Sequence, residues 1–212
     1  MVLPQPLRPV VTEPRCPDGR TSRRGLLTLA SMTINLKPLE AADRESFIAD
    51  LQEAFEHFVG DARASFIDVS LPEDGTVYPA ASPILPREDI EESLSRSEVQ
   101  ALRIIEEGTP VGGVMLSVKG DRGEIEILAI NASTHGRGIG ARAWTAIEEA
   151  YPDVREWELV TPYFEVRNIH FYVNKCGFHI VEFFNEHHPA PSDSGMDKDL
   201  SFRFVKYVGL PE

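Results

Sequence analysis

The sequence predicts a single α/β domain with a mixed, mostly antiparallel sheet flanked by helices. Its 212 residues, 42% of them hydrophobic, suffice for one sizeable core and give no clear sign of a second. Consecutive strand-like segments joined by short turns precede the first glycine-rich stretch, where a doubly wound fold would alternate strands with helices. That stretch, His135-Gly136-Arg137-Gly138-Ile139-Gly140-Ala141, joins the apolar run Ile125 to Ile130 directly to an amphipathic helix.

Residues 1–31 are Pro- and Arg-rich without either hydrophobic period, so they are expected to be a disordered leader or an upstream extension of a domain spanning 32–212. Thr21-Ser22-Arg23-Arg24-Gly25-Leu26-Leu27 has the look of a twin-arginine signal, but the apolar region after it is short and interrupted by Thr28, Ser31, Thr33 and Asn35. Ile34 and Leu36 alternate with polar residues as a first strand. A helix is expected from Ala41 to Val59, with Phe47, Ile48, Leu51, Ala54, Phe55 and Phe58 on one face. Gly60 to Arg87 holds Pro72, Pro79, Pro83 and Pro86 and reads as irregular, a place where binding function often resides. Pro86 to Arg96 reads as a short helix with Glu88 and Asp89 in its first turn, where the dipole favours acids.

Val99 to Glu106 and Val111 to Lys119 form a hairpin about Glu107-Gly108-Thr109-Pro110, and Gly120 to Gly123 turns into the strand Glu124 to Ile130. After the glycines, Ile139, Ala143, Ala146, Ile147 and Ala150 make a helical stripe. A strand at Trp157 to Thr161, a helix at Glu165 to Lys175, and strands at Phe178 to Asn185 and Leu200 to Val208 complete the domain, the polar stretch Glu186 to Asp199 linking the last two.

Composition narrows the function classes. No apolar run reaches the roughly twenty residues that span a bilayer, so no membrane association is expected. Cys16 and Cys176 stand far apart in unlike contexts, which offers neither a disulfide framework nor a metal-type pair and fits the cytoplasm. His187-His188 lack companion ligands, and no metal is expected. The formal charge is −13, and the leader, with Arg8, Arg15, Arg20, Arg23 and Arg24 against Glu13 and Asp18, makes the body more acidic still. Such a body repels nucleic acid and would welcome a cationic amine.

A glycine-rich turn between strand and helix points backbone N–H groups and the positive end of the helix dipole at one spot, where a phosphate or diphosphate can sit. A Walker loop is ruled out, because Ala141-Arg142 stands where Lys-Ser/Thr would be needed. Gly138-Ile139-Gly140-Ala141-Arg142-Ala143 does fit a relaxed dinucleotide fingerprint, with Glu158 about twenty residues on. Against it, Glu158 lies inside the next strand rather than at its end.

The run from Gly123 to Phe178 resembles the GNAT superfamily of N-acetyltransferases. That family's coenzyme A signature, Q/R-x-x-G-x-G/A, reads His135-x-x-Gly138-x-Gly140 here, with His departing at the first position. The second block is Trp157 to Thr161 followed by Asn168-Ile169-His170-Phe171-Tyr172-Val173-Asn174-Lys175-Cys176-Gly177-Phe178. Tyr172 lies five residues before Gly177 where the common pattern has four, which leaves open a one-residue helix bulge or a different role for Tyr172.

The resemblance implies a GNAT acyl-CoA N-acyltransferase fold with splayed central strands, using acetyl-CoA as cosubstrate without a metal. Its diphosphate would rest on the amides of Arg137, Gly138, Ile139, Gly140 and Ala141 beside His135 and Gly136, with the Arg137 and Arg142 side chains able to add charge. Its pantetheine arm would pair with the backbone from Leu128 to Asn131. The N–H of Ile130 would meet the developing oxyanion, Tyr172 would protonate the departing thiolate, and Asn168, on the same helix face, would touch the coenzyme. Because an alkyl amine is protonated at neutral pH, a base is needed as well. Glu124 and Glu126, two residues apart on one strand face, are the candidates. Glu124 aligns with the base of histone-type members, and Glu126 is nearer Ile130. Cys176 reads as a buried small residue, since direct transfer to an amine in a ternary complex needs no thiol nucleophile. A non-catalytic domain that binds or senses acyl-CoA is the alternative function, and a homodimer is compatible with the fold. The acceptor, whether small molecule or peptide, is not legible in these residues.

Overall fold

In the computed structural model the described residues are 33–66, 85–134, 136–163, 165–191 and 200–209. The chain lays down β1 (Ile34–Pro38), a 3₁₀ turn (Ala41–Asp43), α1 (Arg44–Phe66), α2 (Arg87–Ser95), β2 (Val99–Glu106), β3 (Thr109–Lys119) and β4 (Arg122–Ile130). Then come α3 (Ile139–Ala150), β5 (Glu156–Pro162), α4 (Val166–Phe171) running into a π turn (Tyr172–Cys176), β6 (His179–Phe184) and β7 (Ser201–Tyr207). The strands form one seven-stranded sheet in the order β1-β2-β3-β4-β5-β7-β6. β4 and β5 are its parallel neighbours; the other pairs are antiparallel.

One expected boundary is corrected. α1 runs to Phe66 rather than stopping at Val59, so Gly60 to Phe66, read as irregular from composition, is helical backbone. A single glycine inside an otherwise helical run costs only about 1 kcal/mol, too little to end it. The prolines at 72, 79 and 83, and the leader, lie outside the described residues.

Apolar alternation on the strands buries a cluster on each face of the sheet. One face carries Phe47, Ile48, Leu51 and Ala54 of α1, Ile90 of α2, and Met115, Ile127 and Ala129. The other carries Ile139, Ala143, Trp144 and Ile147 of α3 against Leu102, Val114, Leu116, Ile125, Trp157, Leu159, Phe178 and Phe204. Each large side chain buried in this way stabilises the fold by about 1.5–3 kcal/mol relative to exposure. Gly123 owes its place to packing: a Cβ there would come within 2.4 Å of the Trp157 ring. Among the described residues no helix is long and apolar enough to cross a membrane.

A bulge at the centre of the sheet reorients the middle of β4. Met115 pairs with Ile127 and Leu116 with Ile125, so Glu126 is the extra residue on β4. Ile125 consequently packs in the α3 cluster, whereas Ile127, two residues on, packs in the α1 cluster.

Candidate active site

β4 and β5 pair only from Arg122↔Glu156 to Ile125↔Leu159, and beyond those residues no register joins them. The two strands therefore open into a V whose vertex is next to Glu126. Asn131 donates its N–H to the Val111 carbonyl at 2.9 Å, so by strand alternation the N–H of Ile130 points the other way, into the V. A cleft of about 500 Å³ occupies the α3 side of this opening. β4 lines it with Leu128 and Ile130, the loop with Thr134, Gly136 and Gly138, and the first turn of α3 with Ile139, Gly140 and Ala141.

The three glycines serve different ends. Gly136 and Gly138 have φ of 78° and 71°, a conformation that carries a Cβ penalty in any other residue, and an added Cβ would meet nothing within 4 Å. Gly138 caps α3 in that left-handed conformation, and the succeeding N–H groups begin the helix facing the cleft. Gly140 has no such strain; a Cβ there would lie 3.0 Å from the Phe171 ring, so its smallness lets α3 approach α4. His135 lies outside the described residues.

The far wall is α4 and its π turn, which contribute Arg167, Asn168, His170, Phe171, Tyr172 and Lys175. Gly177 donates its N–H to the Tyr172 carbonyl, a bond spanning five residues, and this π turn absorbs the extra residue between Tyr172 and Gly177. Tyr172 is 7% exposed and packs edge-on against Phe171 and Phe178. Burial, aided by Cys176 and Glu165, pushes its hydroxyl far above the usual phenol range, so the group stays uncharged well beyond neutral pH. Cys176 is buried too, its thiol pushed up to about 12 chiefly by burial, which leaves it uncharged and a poor nucleophile.

Glu165 escaped the sequence reading. It is 7% exposed, its carboxyl is raised above the usual range by burial, and Asn168 donates Nδ2–H to its Oε2 at 3.2 Å. That bond engages the NH₂ end of the Asn168 amide and leaves Oδ1 to offer to a ligand donor. Arg167 and Lys175 were missed as well. For Lys175 the signal was available: positions 168, 171 and 175 share a helical face with the recognised Tyr172, and a cation there suits an anionic ligand; Arg167, one position off that face, left no such trace.

The candidate bases stand on the opposite face of the sheet from the cleft. Glu124 alternates with Ile125 and lies beside Glu158 in the β4–β5 register. Glu126, rotated by the bulge, pairs with Arg96 at the end of α2. It shares that face with Glu124 and sits at the vertex of the V, where the strands part; Glu124 lies below it in the paired section. Arg137 and Arg142 do not line the cleft; both donate to the buried carboxylate of Glu106, at 2.9 Å and 2.6 Å. His188 is away from the cleft, bonded to Glu182 at 2.7 Å and stacked on Phe184. Among the described residues no group of His, Cys, Asp and Glu could hold a metal ion.

Comparison with known proteins agrees with this geometry. The family model described as the acetyltransferase (GNAT) family matches residues 63–178. A Bacillus subtilis (strain 168) protein named "Uncharacterized protein YrkN" is 37% identical over 184 residues, which cover 82% of this chain and 92% of that one. Among solved structures, the ribosomal-protein-S18-alanine N-acetyltransferase of Escherichia coli superposes with a TM-score of 0.56 at 13% identity, covering 85% of this chain and 97% of that one. The Vibrio cholerae spermidine N-acetyltransferase, solved with CoA and spermine, superposes with a TM-score of 0.52 at 15% identity, covering 82% and 95%. These likenesses to solved structures are likenesses of fold.

Proposed function

The chain belongs to the acetyltransferase (GNAT) family, and from that premise we propose that it transfers an acetyl group from acetyl-CoA directly to a primary amine in a ternary complex. The observation that carries this reading is the V between β4 and β5, with a phosphate-competent cleft on one side and the Glu126 carboxylate at its vertex on the other. Acetyl-CoA fits the residues present. The open glycine loop and α3 N-terminus suit a diphosphate, Arg167 and Lys175 supply countercharge, and the β4 edge from Leu128 to Ile130 can pair with an amide chain. When bound it supplies a thioester, an acyl group on a good leaving thiol.

This chain's own residues would then divide the work. Glu126 takes the ammonium proton, directly or through water, so that the nitrogen can attack. The N–H of Ile130, aimed into the V, stabilises the negative charge that grows on the acyl oxygen. Tyr172, protonated at neutral pH, gives its proton to the departing sulfur and regains one, through solvent, as the new amide nitrogen loses its remaining extra proton. We prefer Glu126 to Glu124 because only Glu126 is at the vertex. The acceptor is a cationic small molecule or peptide amine. In support, the chain carries a formal charge of −13, and Glu124, Glu126 and Glu158 share the face of the sheet opposite the coenzyme cleft.

The test is release of free thiol from acetyl-CoA in the presence of a panel of polyamines, aminoglycosides, amino acids and peptides. Turnover with any primary amine supports the assignment. Tight binding of coenzyme without turnover across the whole panel would sink it in favour of an acyl-CoA sensing domain.

A further inference from the structure

Glu106 ends β2 beneath the glycine loop and is 5% exposed. Its Oε2 accepts from Arg137 at 2.9 Å and its Oε1 from Arg142 at 2.6 Å. Arg137 stands between the two positive-φ glycines of the loop, and Arg142 lies in the N-terminal part of α3. Side-chain packing does not hold the loop at its glycines, since a Cβ grown from Gly136 or Gly138 would meet nothing within 4 Å. A buried carboxylate gripping one guanidinium inside such an open turn and another on the helix that follows restricts where that turn can lie.

We propose that Glu106 is a positioning residue for coenzyme binding. It clasps the phosphate loop from the sheet side through Arg137 and Arg142, holding the amides of Gly138 to Ala141 in the arrangement a diphosphate needs. The inference rests on reading the cleft as the coenzyme site. It makes an opposite prediction to simple electrostatics: removing a negative charge beside a phosphate site should tighten binding, whereas loosening the loop should weaken it.

The experiment is calorimetry with coenzyme A, and steady-state kinetics with acetyl-CoA, on the full chain and on Glu106→Gln. Coenzyme affinity should fall about tenfold, the order of one lost charge-assisted contact, with kcat at saturating coenzyme within about twofold. Should Glu106→Gln fail to fold, Glu106→Asp keeps the charge but is one methylene too short to grip both guanidiniums, and should weaken binding by a smaller factor. In an Arg137→Ala, Arg142→Ala background the Glu106→Gln effect should vanish, which a general loss of stability would not reproduce. Equal or tighter coenzyme binding by folded Glu106→Gln, or a matching fall in kcat, overturns the clasp. Absence of coenzyme binding by the unmodified chain would instead remove the reading beneath it.

Discussion

The two sides of the β4–β5 opening are built from different materials. On the α3 side, the surfaces offered to a ligand are largely main chain: the amides after Gly138, the N–H of Ile130 and the edge of β4 beyond its register with β5. On the α2 side they are long side chains, Glu124, Glu126 and Glu158, with Arg96 and Arg203 interposed. A main-chain site needs particular φ values and a strand edge, and tolerates many side chains. A side-chain site needs particular residues brought together from separate elements. The first kind can serve one invariant ligand; the second suits discrimination among ligands.

That contrast can be broken most directly at Glu126. Glu126→Gln should lower kcat/KM by about 10²–10⁴-fold with coenzyme affinity nearly unchanged, measured by thiol release and calorimetry side by side. If Glu124→Gln costs more than Glu126→Gln, the base is the lower carboxylate and the vertex argument is wrong. Next in size, Tyr172→Phe should reduce kcat by about 10²-fold while leaving the acetyl-CoA KM within a few-fold, since the ring packing survives and only the donor is lost. An unchanged kcat would reduce Tyr172 to a wall of the cleft.

A smaller effect should appear on the main-chain side alone. Gly138→Val places a β-branched residue at a φ of 71° and should strain the loop by about 1–3 kcal/mol. Coenzyme affinity should drop accordingly and the acceptor KM should not, a split readable in a two-substrate kinetic grid. The smallest expected effect concerns Glu165, whose carboxyl burial holds above its ordinary value. The folded chain then keeps a proton that the unfolded chain has already released. Stability contributed by this group is present below the unfolded pKa and is lost as pH rises through the folded one. Urea midpoints from pH 4 to 8 should show that decline relative to Glu165→Gln, and parallel curves for the two proteins would refute it.

Most elements were legible because short patterns carry them. The hairpin of β2 and β3, the strand β4, the stripe of α3 and the close of the chain all rest on alternation or helical period within a few residues. Even the π turn left a trace, the one-residue excess between Tyr172 and Gly177. What stayed hidden was cross-strand. Plain alternation would put Glu126 on the same side as Leu128 and Ile130; the bulge opposite Met115 and Leu116 turns it toward Arg96 instead. Arg137 and Arg142 stand out in one dimension only as charges beside the glycines; that the end of β2 supplies an acid paired with both is visible only in the fold.

From its own residues alone, this chain determines a strand, a glycine turn and a helix in succession, and with them a cluster of main-chain amides suited to an anion, because φ and hydrogen-bond alternation are local properties. Which carboxylate reaches the vertex, which acid pairs with Arg137 and Arg142, and how α4 walls the cleft were decided only when β2, β4 and α2 met in the fold. Ion pairs and register depend on residues tens of positions apart, whose proximity no local pattern encodes.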